Sequence, residues 1–363
     1  MVHPPAREDD RRAISLVGPD RPAAGGARRH GTYPWRWHAT TQAPPREAPV
    51  HVDHILVASD LSGPDRQCYA PAAELAGRLG AHLSVLHVDD ICTERLDYSI
   101  AGMEDYLDMV SMVRRMRVEE LLEDFAALGV EIRFTIERGT PEEVIDAWVR
   151  DHGVDLVVMA QHSTQGPLRK LLGSTTRRVI RASDVPVLVI PVDDAEQAEP
   201  PAEARPRFRR LLAPSDLSEA NERGLRATVA LAERLGAELA VTHALDVPSF
   251  VPVHGGEGYA TLPGQTVDAL KGHWLERLRA HVRGAVGRDL PASAVWGTST
   301  VAALLDEAHR VGADAICLPS TGKGALRRLF LGSVTESLVK RSPVPVLVLP
   351  PPYLESWATP QPA

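Results

Sequence analysis

Cysteine is scarce. Three residues, Cys68, Cys92 and Cys317, stand far apart and in odd number, which excludes a disulfide-stapled extracellular framework and points to a reducing compartment. Long apolar runs are missing too, since no stretch approaches the roughly 18 residues that a membrane-spanning helix requires. The opening MVHPPAREDDRRAISLVGPD places charge and proline where a secretory signal would carry an apolar segment. These absences read as a cytoplasmic chain with no membrane partner. Positive charge is not in excess either: 40 Lys and Arg face 48 Asp and Glu, a net charge of −8. That balance excludes nucleic acid as the default partner. The remaining composition, 44% hydrophobic and 24% charged, is that of a globular protein. A chain of 363 residues has room for two domains of about 100–200 residues each.

The dominant positive signal is an internal repeat. Residues 54–90 align without a gap to residues 210–246, with 15 of 37 positions identical by direct comparison. Near the other end, GSTTRRVIRASDVPVLVIP (173–191) aligns to GSVTESLVKRSPVPVLVLP (332–350), with 10 of 19 identical. Two copies of one domain therefore occupy 50–192 and 208–351. Between them, 193–207 is rich in Pro, Glu and Ala and reads as a solvated connector. Residues 1–49, rich in Pro, Gly, Ala and Arg and without an apolar period, read as a disordered extension lacking helix or strand. Trp35 and Trp37 are the only features there suited to docking. Residues 352–363 read as a short C-terminal tail.

Within each copy, strand and helix alternate. HILVASD and RLLAPSD are short apolar runs that end in polar residues, as buried parallel strands do. PAAELAGRLG and ATVALAERLG have helical spacing and stop at Gly80 and Gly236, a C-cap signal. Strands HLSVLHV and ELAVTHA follow, then longer amphipathic helices around 104–127 (apolar at Met112, Met116, Leu121 and Phe125) and 266–286. Strands EIRFTIER and ASAVWG, helices 141–152 and 299–311, strands DLVVMA and AICLP, and last strands PVLVIP and PVLVLP complete each copy. The order predicts an α/β fold: two tandem, doubly wound, Rossmann-like domains, each a five-stranded, mainly parallel sheet with helices on both faces. The apolar last strands would leave hydrophobic edges if unpaired. Pairing them across a pseudo-twofold axis hides both and makes an internal pseudo-dimer, with further association of two chains left open.

In open α/β sheets, ligands bind beyond the carboxyl ends of the strands. The residues there are Ser59-Asp60-Leu61-Ser62 and Ser215-Asp216-Leu217-Ser218 after the first strand, and His87-Val88-Asp89-Asp90 and His243-Ala244-Leu245-Asp246 after the second. After the fourth strand come MAQHSTQGPLRKLLGST and LPSTGKGALRRLFLGSV. In the latter, Gly322 and Gly324 let backbone approach a phosphate, Lys323 adds charge, and Gly332-Ser333 opens a helix whose amides favour anions. Asp60 and Asp216 either accept hydrogen bonds from a ligand or merely N-cap the first helix.

D-x-S after strand one, H-V-x-D after strand two and a G-x2-G-x9-G-S/T loop ahead of V-P-V-L-V resemble the universal stress protein family, over nearly all of 52–192 and 208–350. The resemblance implies a five-stranded parallel core, pairing through the last strand and, for a subset of members, ATP binding. Carried over, it implies that Asp216 and Ala244 lie near adenine, and that Gly322, Gly332, Ser333 and Val334 contact ribose and phosphates. In the first copy it implies Asp60, Val88, Gly173 and Ser174. The ligand would be ATP or AMP, with or without Mg. The loops depart from the pattern: Ala160 and Ser163 replace the first two glycines of copy one, and Pro319 replaces the first of copy two. Proline removes an amide donor and fixes φ, and a Cβ at Ser163 hinders a positive-φ turn. Copy two is therefore expected to be the better site.

Other constellations carry less. His51-Val52-Asp53-His54 offers two imidazoles and a carboxylate but no further partner at metal-like spacing, so an exposed strand start is the better reading. His87 and His243 are read as strand-end hydrogen-bonding groups rather than bases. Neither copy shows a catalytic dyad or triad, nor the further acidic pair and lysine that a phosphoryl-accepting aspartate would need. The chain reads as a binding protein of the stress response, with ATP hydrolysis slow and incidental at most. A nucleotide-free interaction protein is the competing reading.

Overall fold

The computed structural model describes residues 14–17, 52–89, 103–161, 172–192, 207–245, 250–252, 259–261, 264–297, 299–320 and 331–357. Copy one contains β2 (His54–Ala58), α1 (Tyr69–Leu79), β3 (His82–Asp89), α2 (Met103–Ala127), β4 (Ile132–Arg138), α3 (Pro141–His152), β5 (Leu156–Ala160), α4 (Ser174–Ala182) and β6 (Val187–Ile190). Copy two repeats the order with β7 (Arg210–Pro214), α5 (Glu219–Leu235), β8 (Glu238–Ala244), α6 (Gly264–Val286), β11 (Ala292–Val295), α7 (Thr300–Val311), β12 (Ala315–Pro319), α8 (Ser333–Arg341) and β13 (Val346–Leu349). A hairpin, β9 (Phe250–Pro252) with β10 (Tyr259–Thr261), intervenes between β8 and α6. The sequence pattern did not predict it, because two three-residue strands are too short to show a period.

All the long strands join one eleven-stranded sheet in the order β1-β4-β3-β2-β5-β6-β13-β12-β7-β8-β11, where β1 is Ile14–Val17. Within each copy the five strands are parallel. The copies meet where β6 and β13 pair antiparallel, Val187 opposite Val348, Leu188 opposite Leu347 and Val189 opposite Val346. This is the expected pseudo-dimer. β5, β6, β12 and β13 are buried at every residue, as helices on both faces require, and this is why their sequences run apolar rather than alternating. One core packs α1, α2, α5, α6 and α9 (Pro351–Glu355) on one face. The other packs α3, α4, α7 and α8 on the opposite face. Residues of both copies contribute to each.

Helix ends follow the sequence signals. α1 and α5 stop at Gly80 (φ 70°) and Gly236 (φ 56°), a left-handed conformation that costs glycine little. The two helix ends also exchange arginines across the pseudo-twofold axis. The Arg78 guanidinium donates to the carbonyls of Arg207, Phe208 and Leu235, and Arg234 Nη2 donates to the carbonyl of Leu79 at 3.0 Å. Each copy thus places a cation on the carbonyl-rich C-terminus of the other copy's helix, where the dipole favours it.

The structure adds to or departs from the sequence reading at several places. Residues 1–49 are not free of regular structure, because Ile14–Val17 pairs antiparallel with β4 from Ile14 opposite Ile136 to Val17 opposite Arg133. Four residues of ISLV are too few to stand out from the surrounding Pro and Arg. The closing stretch is docked as far as Trp357: Leu354 and Trp357 are buried, and Arg226 Nη1 donates to the Trp357 carbonyl at 2.7 Å. Met112 and Met116 do not share the buried face of α2 with Leu121 and Phe125. They are 60% and 50% exposed, with Met109 and Val113 beside them. At about 100° per residue, Met112 points roughly opposite to Leu121.

His54 opens β2 at the end away from the C-termini of its own copy's strands. Its Nε2 lies 2.8 Å from Ser84 Oγ and its Nδ1 3.1 Å from the His152 carbonyl, and its ring stacks on His82 at 4.0 Å. Together with Asp155, which accepts the Asp53 and His54 amides, this makes a strand start, as expected, but not an exposed one at His54, which is buried beneath these contacts; His51 lies outside the described residues. Burial and the neighbouring His82 hold the His54 imidazole at a pKa of about 4. The unfolded chain therefore binds the extra proton first, so His54 stabilises the fold above the ordinary imidazole pKa and loses that contribution as pH falls towards 4.

Two outcomes follow from these contacts. Arg78→Met lowers unfolding stability by about 1–3 kcal/mol in urea titration, because carbonyls between the copies lose charge-assisted donors. Acidification from about pH 7 to about pH 4 removes up to about 3 kcal/mol through His54. The His54→Gln chain shows a correspondingly shallower pH dependence in the same titration.

Candidate functional site

The carboxyl ends of β2, β3 and β5 gather the sequence-derived residues of copy one, and those of β7, β8 and β12 gather the residues of copy two; because β6 and β13 run antiparallel, the two sets lie at opposite ends of the sheet. The switch in strand order falls between β2 and β5, and between β7 and β12. Leaving β2, the chain makes a tight turn in which Leu61 takes φ 61°, and Leu217 takes the same φ after β7. A left-handed leucine is strained by roughly 1–2 kcal/mol, and both copies hold it in the same way. Ser59 Oγ accepts the Leu61 amide at 3.0 Å and Ser215 Oγ the Leu217 amide at 3.2 Å. Asp60 Oδ1 accepts the Ser62 amide at 2.8 Å, and Asp216 Oδ1 accepts the Ser218 amide at 3.0 Å. The two aspartates thus brace the turn itself. The N-cap of α5 is Ser218, whose hydroxyl accepts the Asn221 amide.

The carbonyl of the same serine is held from the second strand. His87 Nδ1 lies 3.0 Å from the Ser59 carbonyl, and His243 Nδ1 lies 2.7 Å from the Ser215 carbonyl. Burial keeps His87 below the ordinary imidazole pKa despite that bond. Both histidines are the strand-end hydrogen-bonding groups that the repeat suggested. In copy two the His243 ring also packs against Trp274 of α6 at 4.9 Å, with the Arg277 guanidinium 4.4 Å over the indole.

The third wall is a helix start. α4 begins after Gly173 and α8 after Gly332, and neither glycine supplies a side-chain cap. The glycine amides are taken, by the Gln161 carbonyl at 3.0 Å and the Ser320 carbonyl at 2.8 Å. Thr176 Oγ1 donates back to the Ala160 carbonyl at 2.9 Å, and Thr335 Oγ1 to the Pro319 carbonyl at 3.1 Å. Each helix is thereby tied to its strand end, with the amides of Ser174–Thr176 and Ser333–Thr335 at the positive end of the dipole. Ser174 and Ser333 are exposed and Val334 is half-buried. Gly322 and Ser163 lie outside the described residues.

Copy one has a cavity of ≈ 90 Å³ among these walls, lined by Ser59, Asp60, Asp65, Val88, Pro141 and Thr176 among others. The structure brings Asp60 and Val88 together there, next to the α4 start that Gly173 and Ser174 open. Two contributors were missed. The start of α3 closes one side through Pro141 and Ile145, and Asp65, five residues past Asp60, is a buried acid whose Oδ2 accepts the Asp60 amide at 2.7 Å. Burial and the Asp60 carboxylate push its pKa well up. The repeat held the signal for Asp65: the matching position in copy two is Asn221. That residue is buried too, donating to the Pro214 carbonyl at 3.0 Å and accepting from Ser215 Oγ at 2.5 Å.

Copy two differs at Pro319. A Cβ placed on Gly224 of α5 would meet the proline ring at 2.8 Å, so the proline at the end of β12 sits directly over a glycine of the helix. The matching pair in copy one is Ala160 and Cys68, both buried.

A family model described as the universal stress protein family matches residues 51–191 and again 207–350. The chain belongs to that family. Among curated members, a universal stress protein of Mycobacterium tuberculosis is 27% identical over 225 residues, covering 61% of this chain and 73% of the relative. A universal stress protein A homolog of Pasteurella multocida is 32% identical over 145 residues, covering 39% of this chain and 97% of the relative. Among solved structures, a universal stress protein from Archaeoglobus fulgidus matches with TM-score 0.54 at 22% identity, over 82% of this chain and 98% of that one. A Pseudomonas aeruginosa protein described as functionally unknown matches with TM-score 0.53 at 17% identity, over 85% and 97%. These two share the tandem stress-protein fold.

The Gly224–Pro319 contact generates a test with a sign. In the middle of a helix, Gly→Ala ordinarily stabilises by about 0.5–1 kcal/mol. Here Gly224→Ala alone destabilises by about 1–3 kcal/mol through overpacking. In a Pro319→Ala background the same change becomes neutral or stabilising, as a double-mutant cycle in urea reads directly.

Proposed function

We propose that this universal stress protein binds adenine nucleotide, ATP or AMP, at the strand ends of its copies, and uses the bound ligand to control association in a stress response rather than to run a metabolic reaction. The observation that carries this reading is the copy-one cavity, where Asp60 and Val88 stand beside a glycine-opened helix start. The chemistry of the wall suits the ligand. Leu86, Val88 and Ile145 offer apolar surface to a base, Asp60 an acceptor, and the amides of Ser174–Thr176 a cradle for phosphate. In copy two, Asp216, Ala244, Gly332, Ser333 and Val334 have the corresponding places, and Gly322, outside the described residues, is proposed to join them.

Among the described residues no group of three or more His, Cys, Asp or Glu could hold a metal ion. Mg is accordingly proposed to enter bound to the phosphates. The case for binding over catalysis is that the histidines nearest the turn already serve its backbone. A cytoplasmic setting fits Cys68 and Cys317, both buried as free thiols. Among the described residues no helix is long and apolar enough to cross a membrane.

A second reading has its own observation. The Pro319 ring seated over Gly224 favours a copy two in which the end of β12 serves packing, leaving this copy a pairing partner for copy one. Isothermal titration of the full chain with MgATP and with AMP at millimolar ligand separates the readings. Gly173→Glu removes copy-one binding, because a side chain and negative charge meet the amides at the α4 start, and Gly332→Glu does the same for copy two. Binding lost with Gly173→Glu and untouched by Gly332→Glu selects the second reading. No heat at any ligand concentration, with no nucleotide in the denatured extract, overturns nucleotide binding altogether.

A further inference from the structure

The two copies are built alike around the turn after the first strand, and one of the buried side chains that differ between them is an acid in copy one and an amide in copy two, Asp65 against Asn221. Both side chains are 4% exposed and both anchor the turn. Asn221 does so as a neutral amide, bonded to the Pro214 carbonyl and to Ser215. Asp65 sits in an equally closed place, accepts the Asp60 amide and reaches both the Asp60 carboxyl and Ser59. The buried Asp65 carboxyl meets the carboxylate of the exposed Asp60 and cannot ionise cheaply beside it, so Asp65 keeps its proton and donates it to Asp60. The neutral amide in the twin copy marks the charge state that this position tolerates.

We propose that the Asp60–Asp65 pair makes ligand binding in copy one sensitive to proton concentration. A single shared proton holds the cavity wall at one negative charge, and its loss expels a phosphate-bearing ligand. The inference rests on the nucleotide reading above and adds a regulator to that site. Both aspartates line the cavity together with Thr175 and Thr176 of α4. A second negative charge in the same small cavity would repel the phosphates that the helix start attracts. Copy two, with Asn221, has no such group to ionise.

The surroundings leave Asp65 as the group that changes. On its own segment and α1, Cys68 and Tyr69 are buried, and burial raises both well above their ordinary values, so they stay neutral. On β3, His87 is bonded to the Ser59 carbonyl and held neutral by burial, and Asp89 is paired with Arg114 of α2 at 2.6 Å. On α2, Asp124 is paired with Arg66 at 2.6 Å. Burial first, and the Asp60 charge second, raise the Asp65 carboxyl, so its proton leaves as pH rises above the ordinary carboxylate range. The sign is therefore fixed: copy-one affinity falls with rising pH.

The test uses the full chain carrying Gly332→Glu, so that copy two is silent, with MgATP as the probe in isothermal titration from about pH 5 to about pH 9, the span reached by buried carboxyls. ATP affinity is expected to fall roughly tenfold or more across that range, the order expected for one added charge at close quarters. Asp65→Asn flattens the profile. The reverse exchange, Asn221→Asp in a Gly173→Glu chain, installs the pH dependence in copy two, and it reads the idea even if Asp65→Asn folds poorly. Infrared difference spectra across the same pH range show a protonated-carboxyl band that is lost as pH rises and is absent from the Asp65→Asn chain. ATP binding with the same profile in parent and Asp65→Asn chains overturns the inference and leaves the nucleotide reading standing. Absence of ATP binding at every pH overturns both.

Discussion

Everything in this chain is arranged around three residue pairs, Val187 with Val348, Leu188 with Leu347 and Val189 with Val346. The antiparallel seam they form turns two open five-stranded sheets into one eleven-stranded sheet and leaves neither apolar edge exposed to solvent. The helices beside it obey the same symmetry. Arg78 and Arg234, equivalent residues of the repeat, each satisfy carbonyls at the end of the other copy's helix. Gln161 of copy one likewise donates to the Val339 carbonyl of α8 in copy two, at 2.5 Å. A change at the seam is therefore felt in both cores, since each core draws on residues of both copies.

The site is a product of the same frame. Parallel strands place their carboxyl ends together, and the reversal of strand order opens a gap there into which turns can project. In both copies that gap is bordered by a strained leucine turn, a histidine clamp on a serine carbonyl and a glycine-opened helix. These parts are held by backbone and short side chains, which fixes their positions within narrow limits. What differs between the copies lies on top of this frame: Asp65 for Asn221, Ala160 for Pro319 and Cys68 for Gly224. Asp65 and Ala160 line the copy-one cavity, so the first two exchanges fall on its wall, while the turn, the histidine clamp and the helix start are kept in both copies.

Much of this was legible in the sequence, and for identifiable reasons. Two gapless alignments establish duplication, and uninterrupted runs such as LVVMA and VLVI mark strands covered on both faces. Gly80 and Gly236 mark helix ends because few other residues adopt positive φ. Pairing through the last strands followed from their apolar edges. What escaped lacks periodicity or depends on long-range contact. ISLV at 14–17 pairs with β4, more than a hundred residues away, and the tail helix is held by α5 through Arg226. Met112 and Met116 looked like core residues because methionine is apolar, yet helical geometry turns them away from Leu121. At the site, Asp60, Val88, Gly173 and Ser174 were read from motif positions. Asp65 was not, because a buried carboxyl looks in sequence like any helix-start aspartate.

The seam lies within one polypeptide, and this changes its thermodynamics. Two separate subunits would part on dilution, and their pairing would have to be re-established at each encounter. Here the connector at 193–207 keeps the halves at a constant high local concentration, so association never competes with the abundance of the protein. Neither half can exchange its mate for an identical one. A mutation in one copy is then always set against the same unlike neighbour, and the halves are released from the requirement of being interchangeable. A symmetric dimer could not keep an acid in one pocket and an amide in the other; a fused one can.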